Sequence, residues 1–537
     1  MMRVSRLIGA VSIIWFLFSP FSIMMANEQE PDETRQTSMM VNYIQYEWYM
    51  LRWGSDNVVC RILTDHEGLP TVNEASTYCG TELATEWAIS PPCKTYMEND
   101  KEVVQCPGLY LLLFSETEKE REVIIDLPHP TAWINLDGCS PSPPENRCLE
   151  IPSLMINGEE PLTDERITVV QGTIAGEPFY CEGDTCLVPL QVTTLQGVTV
   201  EFWVDSSYGD SSEKFTAQVR VIDTGVAAEP DGGGWYIDVI STQWLGTPLA
   251  SCAGIWDAFP SVGTPPRWLS TPDDFELLAS DEPLYYLAGR LIAQGLVDVS
   301  ECASGGILPN GYADACGLEK AHPIVEEWQN QFDHRIIEVS QETGIPAQLM
   351  KNLFAQESQF WPGEFRVNYE FGLGQITDQG ADAIFLWNPD FFGNFCPLVL
   401  SEDACSSGYL GLQLKEQAIL RGALALQARA DCPDCPTGVN LSNTNFTVSL
   451  FANTLQANCS QVSRTIYTAT ELMSGSIATY EDLWRFTIAN YHVGPGCVSY
   501  AIHQAWENSG ILTWDEVRNH FTDPCKSAIP YVEKITQ

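Results

Sequence analysis

Apolar and polar residues change rhythm partway along this chain. Between 198 and 222 they alternate one by one. In VTVEFWV, Val198, Val200, Phe202 and Val204 are separated by Thr199, Glu201 and Trp203, and in FTAQVRVI, Phe215, Ala217, Val219 and Val221 recur in the same way. A period of two puts one row of side chains on a buried face and predicts strands. ITVVQGTIAG, EPFYC and CLVPLQV, just ahead, are short runs of the same kind. Residues 148–226 therefore read as a small β-sandwich-like module. Further upstream, 40–140 reads as a Cys-rich β module, with YIQYEWYMLRW, VVCRIL, GLYLLLF and EVIIDL as its strands. SPSPPEN (140–146) and AAEPDGGG (227–234) have the composition of linkers.

After residue 234 the period lengthens to that of a helix. LYYLAGRLIAQGLV, AHPIVEEWQNQFDHRIIEVSQETG, IPAQLMKNLFAQESQFWP, GYLGLQLKEQAILRGALALQARA, TYEDLWRFTIANYHVG and CVSYAIHQAWENSG all carry apolar residues at helical spacing. Residues 227–319 read as a linker and helical extension, and 320–537 as an α-helical domain. The expected fold is multidomain: N-terminal β-rich, disulfide-containing modules followed by helices.

Charge narrows the partners. The formal net charge is −44, which repels a phosphate backbone and anionic lipid alike. Nucleic acid is excluded as the main partner, and a neutral or weakly charged polymer fits. The start of the chain adds a compartment. Arg3 and Arg6 precede the apolar run LIGAVSIIWFLFSPFSIMM, and Ala26 is followed by a polar stretch. Residues 1–26 read as an export signal, with an uncleaved anchor as the alternative and the only expected contact with a membrane. The 18 cysteines all follow this segment, and an even count in an exported chain predicts a set of disulfides with undetermined connectivity. Cys181 and Cys186 bracket EGDT and are placed to staple a hairpin. Cys432-Pro-Asp-Cys435 has CxxC spacing but no second CxxC or histidine pair to complete a metal site. No metal or cofactor is expected.

One helix carries an oddity. In LMKNLFAQESQFWP (349–362), Leu349, Met350, Leu353 and Phe354 form an apolar stripe, and its continuation lands on Glu357. Lys351, Asn352, Gln356 and Gln359 are left for the opposite, polar side. A carboxyl held against apolar groups is desolvated, which raises its pKa and suits it to general acid work. A glutamate at the edge of the stripe reaching solvent is the plain alternative. Two later segments favour chemistry. YEFGLGQIT (369–377) places Gly372 and Gly374 where backbone can approach a ligand closely, beside Gln375. ANYHVGPG (489–496) ends a helix at Gly494.

Together, Glu357-Ser358, Gly372-Leu373-Gly374-Gln375 and Tyr491-x-x-Gly494 resemble the catalytic domain of soluble lytic transglycosylases, in the lysozyme-like superfamily. The tail IPYVEKI (529–535) is similar to that family's closing helix. The resemblance covers roughly 320–537. It implies a lysozyme-like fold and cleavage of peptidoglycan strands between N-acetylmuramic acid and N-acetylglucosamine, with a 1,6-anhydro product. Glu357 would be the single acid/base, and Ser358, Gly372, Leu373, Gln375 and Tyr491 would line the substrate site. Gly374 stands where the family has Met, and His492 where it has Asn. The interval between the second and third segments is enlarged by Cys-rich sequence, expected as a cap or a braced excursion. A goose-type-lysozyme-like hydrolase and a non-catalytic glycan-binding protein are the alternatives. Glu364 and Glu370, in the loop after Glu357, are not singled out as second acids on an acidic chain.

Overall fold

The computed structural model describes residues 35–537 except 99–100, 142–145, 226–233, 247–250, 264, 281 and 364–369. The apolar leader and Glu364 therefore lie outside the described residues, as does most of the 227–234 segment. The chain forms two compact units, one ending at Pro128 and the other running from His129 to Gln537.

The first unit is a three-stranded antiparallel sheet in the order Asn57–Thr64, Gln36–Arg52, Leu109–Asp126. GLYLLLF and EVIIDL are not separate strands. They are the two ends of one strand of 18 residues, because Gln36–Arg52 runs beside it from Gln36 opposite Asp126 to Arg52 opposite Leu109. The core is small: Tyr46, Trp48, Met50, Ile62 and Leu109 meet Ala75 and Ala84 of two short helices, Val72–Cys79 and Thr81–Ala88. The sequence pattern did not show these helices. Their local signal is the capping box Thr71–Glu74. Cys60–Cys79 ties a helix to the sheet, and Cys93–Cys106 closes a smaller loop.

The second unit begins with two sheets on a shared core. The larger has the strand order Glu177–Glu182, Ile167–Ile174, Val198–Ser206, Phe215–Asp223, Trp235–Ile240, Arg147–Cys148; the smaller has Thr185–Pro189, Ser153–Glu159, Thr131–Asp137. Val200, Phe202, Val204, Val219 and Val221 face Ile134, Leu154 and Ile156 across the core, as their alternation predicts. Both linker readings need correction. Thr131–Asp137 pairs with Ser153–Glu159, and Cys139 is bonded to Cys148, so 140–146, of which 142–145 lie outside the described residues, falls within this module and does not separate two. Trp235–Ile240 pairs with Phe215–Asp223, so 227–234 also joins two strands of one sheet. Turn-rich composition marks a loop, and only pairing decides what the loop connects. Cys181 and Cys186 are bonded, but they join strands of different sheets and so pin a corner.

Helices fill the rest. The outer face of the larger sheet meets them through Arg220. Its guanidinium pairs with Asp238 at 2.6 Å, donates to the Pro260 carbonyl at 2.7 Å and lies over Phe259. The axis of the helical region is Leu441–Thr470, a helix of 30 residues and about 45 Å. Around it pack Ser251–Trp256, Asp333–Thr343, Asp378–Trp387, Leu414–Ala428, Tyr480–Val493 and Pro495–Ser509. The enlarged interval is a subdomain with its own aromatic core of Phe371, Phe385, Phe392, Phe395 and Tyr409, resting on Leu450 and braced by Cys396–Cys405. All 18 cysteines are paired; the CxxC is itself the disulfide Cys432–Cys435. Among the described residues no helix is long and apolar enough to cross a membrane.

Candidate functional site

The Ala347–Glu357 helix is buried almost all round. Leu349, Met350, Leu353 and Phe354 are fully inaccessible, as the stripe predicts, but so is Lys351. Assigning Lys351 to a polar outer side is thus incorrect. Its ammonium contacts Asp333 at 2.7 and 2.8 Å, Asn330 at 3.0 Å and the Leu278 carbonyl at 3.1 Å. Burial pushes Asp333 up to about 6 and Lys351 down, and their mutual attraction opposes both shifts.

The helix ends at Glu357, before Pro362. Ser358 donates its N–H to the Phe354 carbonyl, and Gln359 and Phe360 then take left-handed backbone, φ 50° and 61°. A bulky residue with positive φ is held there only by its surroundings. Trp328 donates its indole N–H to the Phe360 carbonyl at 2.9 Å and stacks on Trp361, and the Gln359 side chain accepts from the Tyr286 N–H at 2.7 Å. This sharp reversal leaves Glu357 half-buried at the terminus.

Two helices meet near that carboxyl. From the C-terminal helix Ala528–Ile535, Tyr531 donates its hydroxyl to Glu357 Oε1. His492, at the end of Tyr480–Val493, stacks flat on the Tyr531 ring, with centroids 3.9 Å apart and an interplanar angle of 9°. On the same helix, Tyr491 donates its hydroxyl to the Gly374 carbonyl. Burial, then the negative charges of Glu357 and Glu370, hold the Tyr491 phenol well above its ordinary pKa. Glu370 thus shares a neighbour with Glu357, and its Oε2 is buried with no hydrogen-bond partner among the described residues.

Gly372-Leu373-Gly374-Gln375 is a tight turn between Phe371 and Ile376, which exchange backbone hydrogen bonds at 3.1 and 3.0 Å. Gly372 has φ 74° and Gln375 φ 54°. The Gln375 amide donates to the Gly372 carbonyl at 2.8 Å, while its Oε1 is buried without a partner among the described residues. Gly374 has a steric cause: a Cβ there would lie 2.1 Å from Phe451 Cδ2. Phe451 fills the space a side chain at 374 would take, and it touches Phe354 on one side and Tyr491 edge-on at 5.4 Å on the other.

Of the residues expected at the site, Glu357, Gln375 and Tyr491 surround one small region, with Gly372 shaping it. Ser358 and Leu373 are fully buried. The Ser358 hydroxyl donates back to the Phe354 carbonyl at 3.3 Å, and Leu373 packs in the main helical core. Tyr531 and Glu370 were not read as site residues. The signal for Tyr531 was the tail IPYVEKI; Glu370 gave none, since its place depends on the turn that follows it. No protein-family model matches the chain, and no curated protein or solved structure matches it.

Proposed function

We propose that the helical region has a lysozyme-like fold and cleaves peptidoglycan glycan strands as an exported lytic transglycosylase, with Glu357 as its acid/base. The supporting observation is the seating of Glu357. It is a half-buried carboxyl at a helix terminus, bonded by the Tyr531 hydroxyl and close to Tyr491, whose own hydroxyl binds the Gly374 carbonyl of the glycine turn. In the proposed reaction Glu357 gives its proton to the glycosidic oxygen as the bond from C1 of N-acetylmuramic acid breaks. The neighbouring acetamide oxygen supports the electron-poor carbon. The Glu357 carboxylate then takes the proton of the 6-hydroxyl as that oxygen bonds to C1, which regenerates the acid and closes the anhydro ring. The nine disulfide pairs fit the oxidising space outside the cytoplasm where this polymer lies.

A hydrolytic reading is favoured by one observation, a second carboxylate, Glu370, whose charge acts together with that of Glu357 on the Tyr491 phenol. A second carboxylate can activate water. Mass spectrometry of digested peptidoglycan separates the two, since 1,6-anhydro ends mark the transglycosylase and reducing ends the hydrolase. Glu357→Gln keeps size and helix propensity but carries no transferable proton. Its activity is expected to fall by at least the ~10²–10⁴ typical of general acid–base catalysis, with folding retained. A folded Glu357→Gln protein of full activity removes Glu357 from both readings, whereas an unmutated protein that binds peptidoglycan and releases no fragments leaves glycan binding without cleavage.

A further inference from the structure

Away from Glu357, where the larger sheet meets the Ser251–Trp256 helix, lies a cavity of about 560 Å³. Thr216 and Gln218 form its sheet wall, Ser241 and Trp244 its rim, and Ile255 and Asp257 its helical wall. Its size falls within the ~300–1,000 Å³ of small-molecule sites, and its place between two layers is a usual one for them. Except for Asp257, the polar groups in its lining are uncharged hydroxyls and amides.

Asp257 is held in place there by its backbone. Its backbone is left-handed, φ 51°. The flanking chain cannot relax. Trp256 is fully buried and donates its indole N–H to the Cys459 carbonyl at 3.0 Å, Cys252 is bonded to Cys459, and Ala258 N–H donates to the Ala253 carbonyl. On the far side, Gly475 is so close that a Cβ on it would lie 2.0 Å from the Asp257 carbonyl oxygen. Burial alone pushes the Asp257 carboxyl above its ordinary pKa; no cation contributes. A desolvated acceptor held by its surroundings at a cavity wall is suited to contact a ligand.

We propose that this cavity binds a neutral, hydroxyl-rich ring, the pyranose unit of a glycan. Trp244 supplies an aromatic wall for the apolar face of the ring. Asp257 accepts from neighbouring ring hydroxyls, a charge-assisted contact. Thr216 and Gln218 offer both donor and acceptor to the remaining hydroxyls. The chemistry selects against other ligands. An anion meets both Asp257 and a chain of net charge −44. A metal ion needs more donors than one carboxylate, and no group of three metal-binding side chains occurs among the described residues. The proposal stands on this cavity and not on the acid/base role of Glu357.

The test uses the full chain carrying Glu357→Gln, so that no probe is cut. It is titrated calorimetrically with N-acetylchitotriose and with maltotriose. Binding of at least one is expected, weakened tenfold or more by added Asp257→Asn and by added Trp244→Ala, and weakened less by Trp244→Phe, which keeps a ring. The melting temperature of the Asp257→Asn protein should be unchanged or raised, because a desolvated carboxylate is removed. No binding of either sugar overturns the proposal. So does binding that survives both Asp257→Asn and Trp244→Ala, which would locate the sugar elsewhere. A melting temperature several degrees lower with Asp257→Asn, at unchanged affinity, makes Asp257 structural and also overturns it.

Discussion

Tyr531 and Phe451 act on Glu357 in different ways. Phe451 sets distances: it occupies the volume next to Gly374 and so fixes the turn against Phe354 and Tyr491. Tyr531 sets orientation, through one hydroxyl bonded to one carboxyl oxygen. A hydrogen bond to a charged group is worth ~1.5–3 kcal/mol, or about 10–100-fold in rate if it is kept to the transition state. Tyr531→Phe keeps the ring under His492 and removes only the hydroxyl. On the proposed function, its kcat/KM on purified peptidoglycan is expected to drop by that factor, with little change in thermal stability. If kcat/KM is unchanged, the bond does not orient the acid.

At the scale of the element, the Ala347–Glu357 helix is anchored by a charge. Lys351 and Asp333 are 0% and 3% exposed at their side chains. Removing one partner of such a pair strands the other without water, at a cost of about 3–5 kcal/mol. Lys351→Met is expected to destabilise the protein by that amount near neutral pH. The loss should depend on pH with a definite sign. Burial already pushes Asp333 up to about 6 beside its lysine, and without the lysine its pKa moves further up. The folded chain then binds a proton that the unfolded chain, with an ordinary aspartate near 3.8, releases. Stability is therefore fully present below about pH 4 and lost as pH rises through the folded value. Urea melts of Lys351→Met against the unmutated protein at pH 4.5 and 7.5 should show the smaller difference at pH 4.5. Equal differences at both would mean that Asp333 is not left buried. The double change Asp333→Leu with Lys351→Met should recover most of the loss, because no charge is stranded.

For the whole molecule, the break that matters falls at 128/129. A chain starting at His129 retains both sheets of the sandwich and every helix of the second unit. A chain starting at 235 begins within the larger sheet. It deprives Trp235–Ile240 of its partner strand and leaves Asp238, 5% exposed, without Arg220. The 129–537 protein is expected to melt in one cooperative transition. The 235–537 protein should melt several degrees lower and bind an apolar dye before melting. Equal melting temperatures for the two would show that the helices do not draw stability from the sandwich.

The alternation through Val198–Val204 and Phe215–Val221, the apolar stripe ending at Glu357, and the oxidised cysteines were all legible in the chain, because each depends on local period or on count. Tertiary structure alone decided three other things. Leu441–Thr470 was not read as a helix, since its Thr, Asn and Ser residues have modest helix propensity and weaken its apolar stripe. It forms because helices surround it, and its buried polar groups bond to its own carbonyls, Thr454 to Leu450 at 2.8 Å and Asn458 to Thr454 at 2.8 Å. Lys351 looked solvent-facing because nothing in the sequence announces that Asp333, eighteen residues back, will meet it. The surroundings of Glu357 were only half visible. Helix period placed the carboxyl, but Tyr531 reaches it from the far end of the chain, and Tyr491 and Phe451 build the wall beside it from other helices. Such contacts follow from how helices pack, a property of the assembled core that no local pattern encodes.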